Sequence, residues 1–110
     1  MSAAIFDKDE LLEECEDDRD MLARWIEIFD RDFKTRMPKL QAAVQVGDCE
    51  TVMQEAHALK GGIGTFFAKA AYETAYKLEL MGRDHETANL VATFQQLEGE
   101  IRSLRDELGN

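Results

Sequence analysis

The chain has 110 residues and a mass of 12.5 kDa, which is the size of one ordinary domain. Hydrophobic residues make up 45% of it, enough to bury a core, so the composition excludes a wholly disordered chain. The 23 acidic and 13 basic side chains give a net charge of -10, which disfavours nucleic acid and anionic membranes as partners. We therefore expect a single folded domain over residues 1–110.

Several local patterns that would indicate another class of protein are absent from the sequence. The first ten residues have neither the basic start nor the apolar run of a secretory signal, and no run of apolar residues is long enough to span a membrane. Cys15 and Cys49 lie far apart and form no CxxC or zinc-type pattern. The sequence predicts a cytoplasmic protein with two reduced thiols and no metal site.

Two helices are predicted in the first half of the chain. Asp7 can cap a short helix that runs to about Glu14, and the nine carboxylates of residues 7–20 are interpreted as its solvated surface rather than as an acidic docking arm. A long amphipathic helix is predicted over residues 18–46, ending at Gly47, with Pro38 expected to cause a kink or a local break. The apolar residues of the two helices are Leu11, Leu12, Cys15, Leu22, Trp25, Ile26, Phe29, Phe33, Met37, Leu40 and Val44.

Three further helices are predicted in the second half. The third begins after the capping residue Asp48, the fourth runs from about Lys69 to Met81 and closes at Gly82, and the fifth begins at Asp84. Their apolar stripes are Val52, Ala56, Leu59, Ile63 and Phe66, then Ala71, Ala75 and Leu78, then Leu90, Phe94, Leu97, Ile101, Leu104 and Leu108. This pattern predicts an all-α fold, an antiparallel four-helix bundle with a short extra N-terminal helix.

Packing of a helical bundle does not account for His57. In helical steps of 100° it lies about 140° from the centre of the third helix's buried stripe, so it points to solvent. A histidine at such a position is by itself most simply an ordinary surface residue. A hairpin turning near Ala68 would bring Glu79 to the same height, because both residues are eleven positions from the turn. Glu79 could then accept a hydrogen bond from one ring nitrogen and leave the other free as a nucleophile; the alternative is a solvated charge.

Three glycines follow His57 at positions where glycine destabilises a helix. Gly61, Gly62 and Gly64 would each cost about 1 kcal/mol relative to alanine in a helix interior. We interpret Gly61 and Gly64 as keeping the imidazole unobstructed and letting another protein's backbone approach. The competing interpretation is a loop that ends the helix after Lys60; the continuing apolar stripe favours the helix.

The segment AHALKGGIGTFFAKAAYETAYKLELMGR, residues 56–83, resembles the signature of histidine-containing phosphotransfer (HPt) domains. In that family a pattern close to A-H-x-L-K-G-S is followed by small residues and by a helix that ends in L-E. His57, Lys60 and Gly61 match its most diagnostic positions. The resemblance implies that His57 is the phosphoacceptor, that Lys60 is the cation that helps to hold the phosphoryl group, and that Glu79 stands beside the imidazole.

Two residues depart from the family pattern. Gly62 replaces the usual small serine, and Phe67 stands where a glycine commonly precedes the alanine at Ala68. Neither change removes an atom that would carry the phosphoryl group. Phe67 is expected to affect the geometry of the turn or the surface offered to a partner.

The resemblance implies a histidine phosphotransfer module of a multistep two-component phosphorelay. His57 would accept a phosphoryl group from a receiver-domain aspartate and pass it to another receiver, the two belonging to a hybrid histidine kinase and a downstream regulator. The receiver would supply Mg²⁺, and the chain itself would need no cofactor and would not act as an ATP-dependent kinase. The expected docking surface includes Met53, Gln54 and Tyr76, and we expect a monomer.

Two alternatives come from other classes. A bundle of the same ancestry could act only as an adaptor or inhibitor that binds a receiver or kinase domain, with His57 chemically silent. A metal–carboxylate bundle enzyme would need Glu-x-x-His pairs on facing helices, and the sequence contains none. The other histidine, His85, is expected to be an exposed residue in the first turn of the fifth helix, without a chemical role.

Overall fold

The described part of the chain consists of α-helices and contains no strand. A computed structural model describes residues 8–14 and 18–109 of the chain. The helices are α1 (Lys8–Glu14), α2 (Arg19–Val46), α3 (Cys49–Thr65), α4 (Lys69–Arg83) and α5 (Leu90–Gly109). None of the helices in these ranges is long and apolar enough to cross a membrane.

The four longer helices form a bundle around one core. α3 packs against α2 and α4, and α5 packs against α4 and α2. Short connections join successive helices, so neighbours run antiparallel. The all-α bundle predicted from the apolar spacing is confirmed. Its most completely buried large side chains are Phe66, Leu11, Leu40, Leu59, Ile63, Leu78, Leu90, Leu97, Ile101, Leu104 and Val52.

The short helix α1 attaches to this core through Leu11, which is buried. The predicted cap at Asp7 and the apolar contacts of Leu12 and Cys15 fall outside the residues and side chains that the structure describes. The apolar side of α2 is only partly covered: Phe29 is buried, whereas Trp25 and Phe33 are half-buried against the core. The first half of α2 therefore lies at the margin of the bundle.

Acidic residues cap the starts of α2 and α3: Asp48 was predicted as a cap, and Asp18, where the predicted second helix begins, also acts as one. The Asp18 carboxylate accepts hydrogen bonds from the backbone N–H of Asp20 and Met21 at 3.0 and 3.1 Å. Asp48 accepts from the backbone N–H of Thr51 at 3.2 Å. These bonds satisfy backbone donors that have no partner within the helix. Gly47 ends α2 in the left-handed conformation, with φ of 72°.

Pro38 does not break α2. Of the kink or local break that the sequence predicted, the break does not occur, because the helix runs continuously from Arg19 to Val46. Pro38 is exposed, while Met37 and Leu40 on either side of it are buried in the core. Packing of these neighbours holds the helix together, and the carbonyl that loses its partner lies where water can replace the missing N–H.

Gly82 has a different role from the one predicted. It lies inside α4, which continues to Arg83, so it does not terminate that helix. A Cβ at Gly82 would lie 2.6 Å from the carbonyl oxygen of Cys49 and 2.8 Å from the backbone nitrogen of Met53. The missing side chain therefore lets the end of α4 pack directly against the backbone of α3.

The start of α5 was also predicted wrongly. Asp84 ends α4 instead of capping α5, which begins at Leu90. The chain reverses at His85, a non-glycine residue with φ of 56°, and the N–H of Glu86 bonds to the carbonyl of Met81 at 2.9 Å. This is the hydrogen bonding of a helix end closed by a left-handed residue. His85 is exposed as expected, but it lies in a loop and not in the first turn of a helix.

Candidate functional site

His57 projects from the surface of α3. Its neighbours Ala56 and Leu59 are buried at 0% and 1% exposure, and these anchors fix the helix face that enters the core. The His57 side chain, on the other side, is 67% exposed. The helix continues through the glycines to Thr65, as the apolar stripe predicted, so His57 stands in the middle of a regular helix.

Glu79 on α4 is the partner of the imidazole. Its Oε2 lies 3.2 Å from His57 Nδ1, which agrees with the register predicted for a hairpin turning near Ala68. The turn itself contains Phe67 with φ of 56°. Phe67 thus adopts the left-handed conformation that glycine accommodates without strain, while its ring packs against the core.

The contact with Glu79 determines which ring nitrogen can react. An ionised carboxylate has no hydrogen to donate, so the bond requires that Nδ1 of His57 carries the proton. In the neutral imidazole the lone pair is then on Nε2. The side chain is largely exposed, and in this tautomer the lone pair on Nε2 is not engaged by Glu79.

The same carboxylate forms an ion pair with Lys60. Lys60 Nζ lies 2.8 Å from Glu79 Oε1, and the two side chains are only 16% and 19% exposed. Burial opposes ionisation of Glu79, but Lys60 and His57 outweigh that effect and lower the pKa of the carboxyl group. The contact with Glu79 raises the pKa of Lys60. At neutral pH one carboxylate therefore links a charged lysine to the imidazole.

The stabilisation due to this ion pair should depend on pH in a direction set by the two pKa shifts. A lowered pKa of Glu79 means that its contribution is complete above its ordinary value of 4.5 and disappears as the pH falls through the folded value. For Lys60 the contribution persists up to 10.5 and disappears as the pH rises through its raised pKa. The difference in unfolding free energy between wild type and Glu79→Gln should therefore shrink in acid. Urea titrations at about pH 7 and about pH 3 measure it; a difference that grows in acid contradicts the assignment.

Two tyrosines of α4 lie next to the Lys60 ammonium. Nζ is 4.7 Å from the centroid of the Tyr76 ring and 5.9 Å from that of Tyr72. A Cβ on Gly64 would lie 3.4 Å from the Tyr72 ring. Gly64 is thus covered by a neighbour from the same chain, which differs from the open surface predicted for it. Tyr72 was not singled out from the sequence, although its spacing of four from Tyr76 places both on one helix face.

Gly61 has the open surroundings that were expected from the sequence. It is exposed, and a Cβ there would meet no atom within 4 Å, whereas one on Gly62 would lie 3.5 Å from the Phe29 ring. A helical side chain covers the turn before its own Cα, so a side chain at position 61 would extend over the turn that carries His57. The glycine at position 61 thus leaves the surface beside His57 uncovered.

A Gly61→Ala substitution should separate stability from function. It should raise the free energy of unfolding by up to about 1 kcal/mol, because alanine favours the helix and fits without a clash. It should also slow phosphotransfer from a protein donor that must approach the helix backbone closely. Denaturant titration and transfer assays measure the two effects on the same sample; a stabilised variant with unchanged transfer would show that Gly61 does not serve partner approach.

The three residues predicted to contact a partner domain differ in their exposure to solvent. Gln54 is exposed, Met53 is half-buried with its backbone against Gly82, and Tyr76 is 45% exposed beside Lys60. Across residues 8–14 and 18–109, no group of three or more histidine, cysteine, aspartate or glutamate side chains is arranged to hold a metal ion. Cys49 is a free, buried thiol.

Comparisons with known proteins agree with this geometry. The family model for the Hpt domain matches residues 8–107. The crystal structure of histidine-containing phosphotransfer protein B (HptB) from Pseudomonas aeruginosa PAO1 superimposes with a TM-score of 0.89 and 28% sequence identity, over 98% of this chain and 94% of that one. Comparison with curated proteins gives no match. The chain belongs to the Hpt domain family, the histidine phosphotransfer modules of two-component phosphorelays.

Proposed function

We propose that this protein carries a phosphoryl group on Nε2 of His57 between two receiver domains. The observation that carries the proposal is the pairing of an exposed imidazole with Glu79, which engages Nδ1 and leaves Nε2 without a partner in this contact. Lys60 supplies a positive charge from a position one helical turn away, held by the same carboxylate. The family and the site geometry both support this role.

The transfer itself requires few groups from this chain. The Nε2 lone pair attacks the phosphorus of an aspartyl phosphate, an N–P bond forms, and the P–O bond to the aspartate breaks. The electron pair of that bond goes to the departing carboxylate. The proton on Nδ1 stays in place, where Glu79 stabilises the positive charge that develops on the ring. The reverse of this step delivers the phosphoryl group to a second receiver.

The partner supplies the remaining chemistry in this proposal. A receiver domain brings the phosphorylated aspartate and the Mg²⁺ that neutralises its phosphoryl oxygens. We assign the docking surface to the exposed face around His57 and Gly61, with Met53, Gln54 and Tyr76 at its margin. Phosphorylation from ATP alone is not expected, since the sequence has no nucleotide-binding loop.

The test is phosphotransfer from a panel of purified receiver domains carrying labelled phosphate. Wild-type protein should become labelled within the dead time of manual mixing, and the label should be lost in acid and retained in alkali. Tandem mass spectrometry at neutral pH should place it on the peptide that contains His57. If no receiver transfers label to protein shown to be folded, while at least one receiver still binds it, the chain acts as a silent adaptor and the carrier proposal is wrong.

A further inference from the structure

The Lys60 side chain is largely buried, although regular helix geometry does not by itself place it in the core. Its side chain is only 16% exposed, although it lies at the edge of the face that carries the 67% exposed His57. Three groups, all from α4, surround the ammonium: Glu79 Oε1 at 2.8 Å, the Tyr76 ring at 4.7 Å and the Tyr72 ring at 5.9 Å. A cation near an aromatic face is attracted by the negative charge of the π system.

We propose that Tyr72 and Tyr76 are positioning residues that hold the Lys60 ammonium on Glu79. Lys60, held in this place, increases the rate at which His57 is phosphorylated. The inference rests on the proposed phosphoacceptor role of His57. Lysine has a long flexible stem, and a single surface ion pair rarely restrains one. Two aromatic rings beside the ion pair confine the ammonium to one place before the phosphoryl group arrives. The lysine side chain therefore loses less conformational freedom during the reaction.

The surroundings of the two rings support positioning over core packing. Tyr72 and Tyr76 are 39% and 45% exposed, so they contribute little to the buried core. The Tyr72 ring lies against α3 where Gly64 has no side chain, 3.4 Å from the place of its Cβ. A larger residue at 64 would push this ring away. Gly64 thus leaves room for the Tyr72 ring, and that ring in turn lies beside the Lys60 ammonium.

The test uses a small phosphodonor, so that partner docking does not enter the rate. Phosphoramidate transfers its phosphoryl group to Nε2 as its P–N bond breaks and ammonia leaves after taking up a proton. Tyr76→Leu should slow phosphorylation of His57 about two- to fivefold, and Tyr72→Leu, whose ring is farther from Nζ, should slow it less. Tyr76→Phe keeps the aromatic face and should restore most of the rate.

A double-mutant cycle with Lys60→Met identifies the route of the effect. If the tyrosine acts through Lys60, Tyr76→Leu should not slow the reaction further once Lys60 has been replaced. An NMR titration of the Lys60 side chain should also show a lower pKa in Tyr76→Leu than in wild type. Equal slowing by Tyr76→Leu in both backgrounds overturns the inference, as does a Tyr76→Phe variant as slow as Tyr76→Leu.

Failure of this inference can be told apart from failure of the proposed function. If wild type takes no label on His57 from phosphoramidate or from any receiver, the phosphoacceptor role itself is wrong. If wild type is labelled on His57 and the tyrosine variants react at the wild-type rate, His57 remains the acceptor and only the positioning role of the tyrosines is lost. Circular dichroism and urea titration of each variant establish that the rates compare folded proteins.

Discussion

The His57→Gln protein is expected to accept no phosphoryl group from any receiver domain. Glutamine is close in length to histidine, and its amide can still donate a hydrogen bond to Glu79, but its nitrogen has no available lone pair for attack on phosphorus. His57 is largely exposed, so the substitution should change the free energy of unfolding by less than about 0.5 kcal/mol. Transfer of labelled phosphate, followed over time by gel autoradiography, measures the loss.

The chain provides a matched control for this variant. His85 is the only other histidine, it is exposed, and it lies in a loop with φ of 56°. Asparagine tolerates that left-handed conformation, so His85→Asn should stay folded and should accept phosphate at the wild-type rate. Acid-labile label that persists in His57→Gln and disappears in His85→Asn would assign the chemistry to the other histidine.

Gly82→Ala is expected to destabilise the protein by about 2 kcal/mol or more. The new Cβ would lie 2.6 Å from the Cys49 carbonyl oxygen and 2.8 Å from the Met53 nitrogen, both of them backbone atoms that cannot rotate away. Overpacking of this kind costs about 1 to 3 kcal/mol and sometimes more, and here it should exceed the gain of about 1 kcal/mol that alanine brings to a helix. Urea unfolding followed by circular dichroism gives the difference in free energy.

Gly99→Ala is the matched control for this second substitution. Gly99 is an exposed helical glycine of α5, and a Cβ added there would meet no atom within 4 Å. The same change should therefore stabilise the protein by up to about 1 kcal/mol. The close approach between α3 and α4 would be refuted by a Gly82→Ala protein that is as stable as wild type.

Much of the fold follows from short-range patterns in the sequence. Carboxylates at Asp18 and Asp48 precede apolar stripes of helical spacing, and the structure begins α2 and α3 after these residues. The pairing of His57 with Glu79 also followed from counting, because a hairpin between two regular helices leaves few possible registers. These features depend on local hydrogen bonding and on which side of a helix is apolar, both of which the sequence displays directly.

Features that depend on the meeting of two helices were not predictable in the same way. A glycine just before a charged loop is typical of a helix end, and only the backbone of α3 behind Gly82 shows that it serves close packing. The left-handed residue that follows the end of α4 is His85, which has no sequence signal of the strength of glycine. The enclosure of Lys60 by Tyr72 and Tyr76 combines residues of two elements, and helical spacing within either one does not reveal it.

The backbone contact at Gly82 restricts how far the two helices that hold the proposed phosphorylation site can move. α3 and α4 are joined by the turn at Phe67 at one end and touch through Gly82 near the other, with His57 and Glu79 between these two points. A hairpin closed at both ends has little freedom to open or slide, so we expect its backbone to keep one shape before and after modification. A partner would then distinguish the loaded from the empty protein by the electric charge at His57, and not by any rearrangement of the helices that bear it.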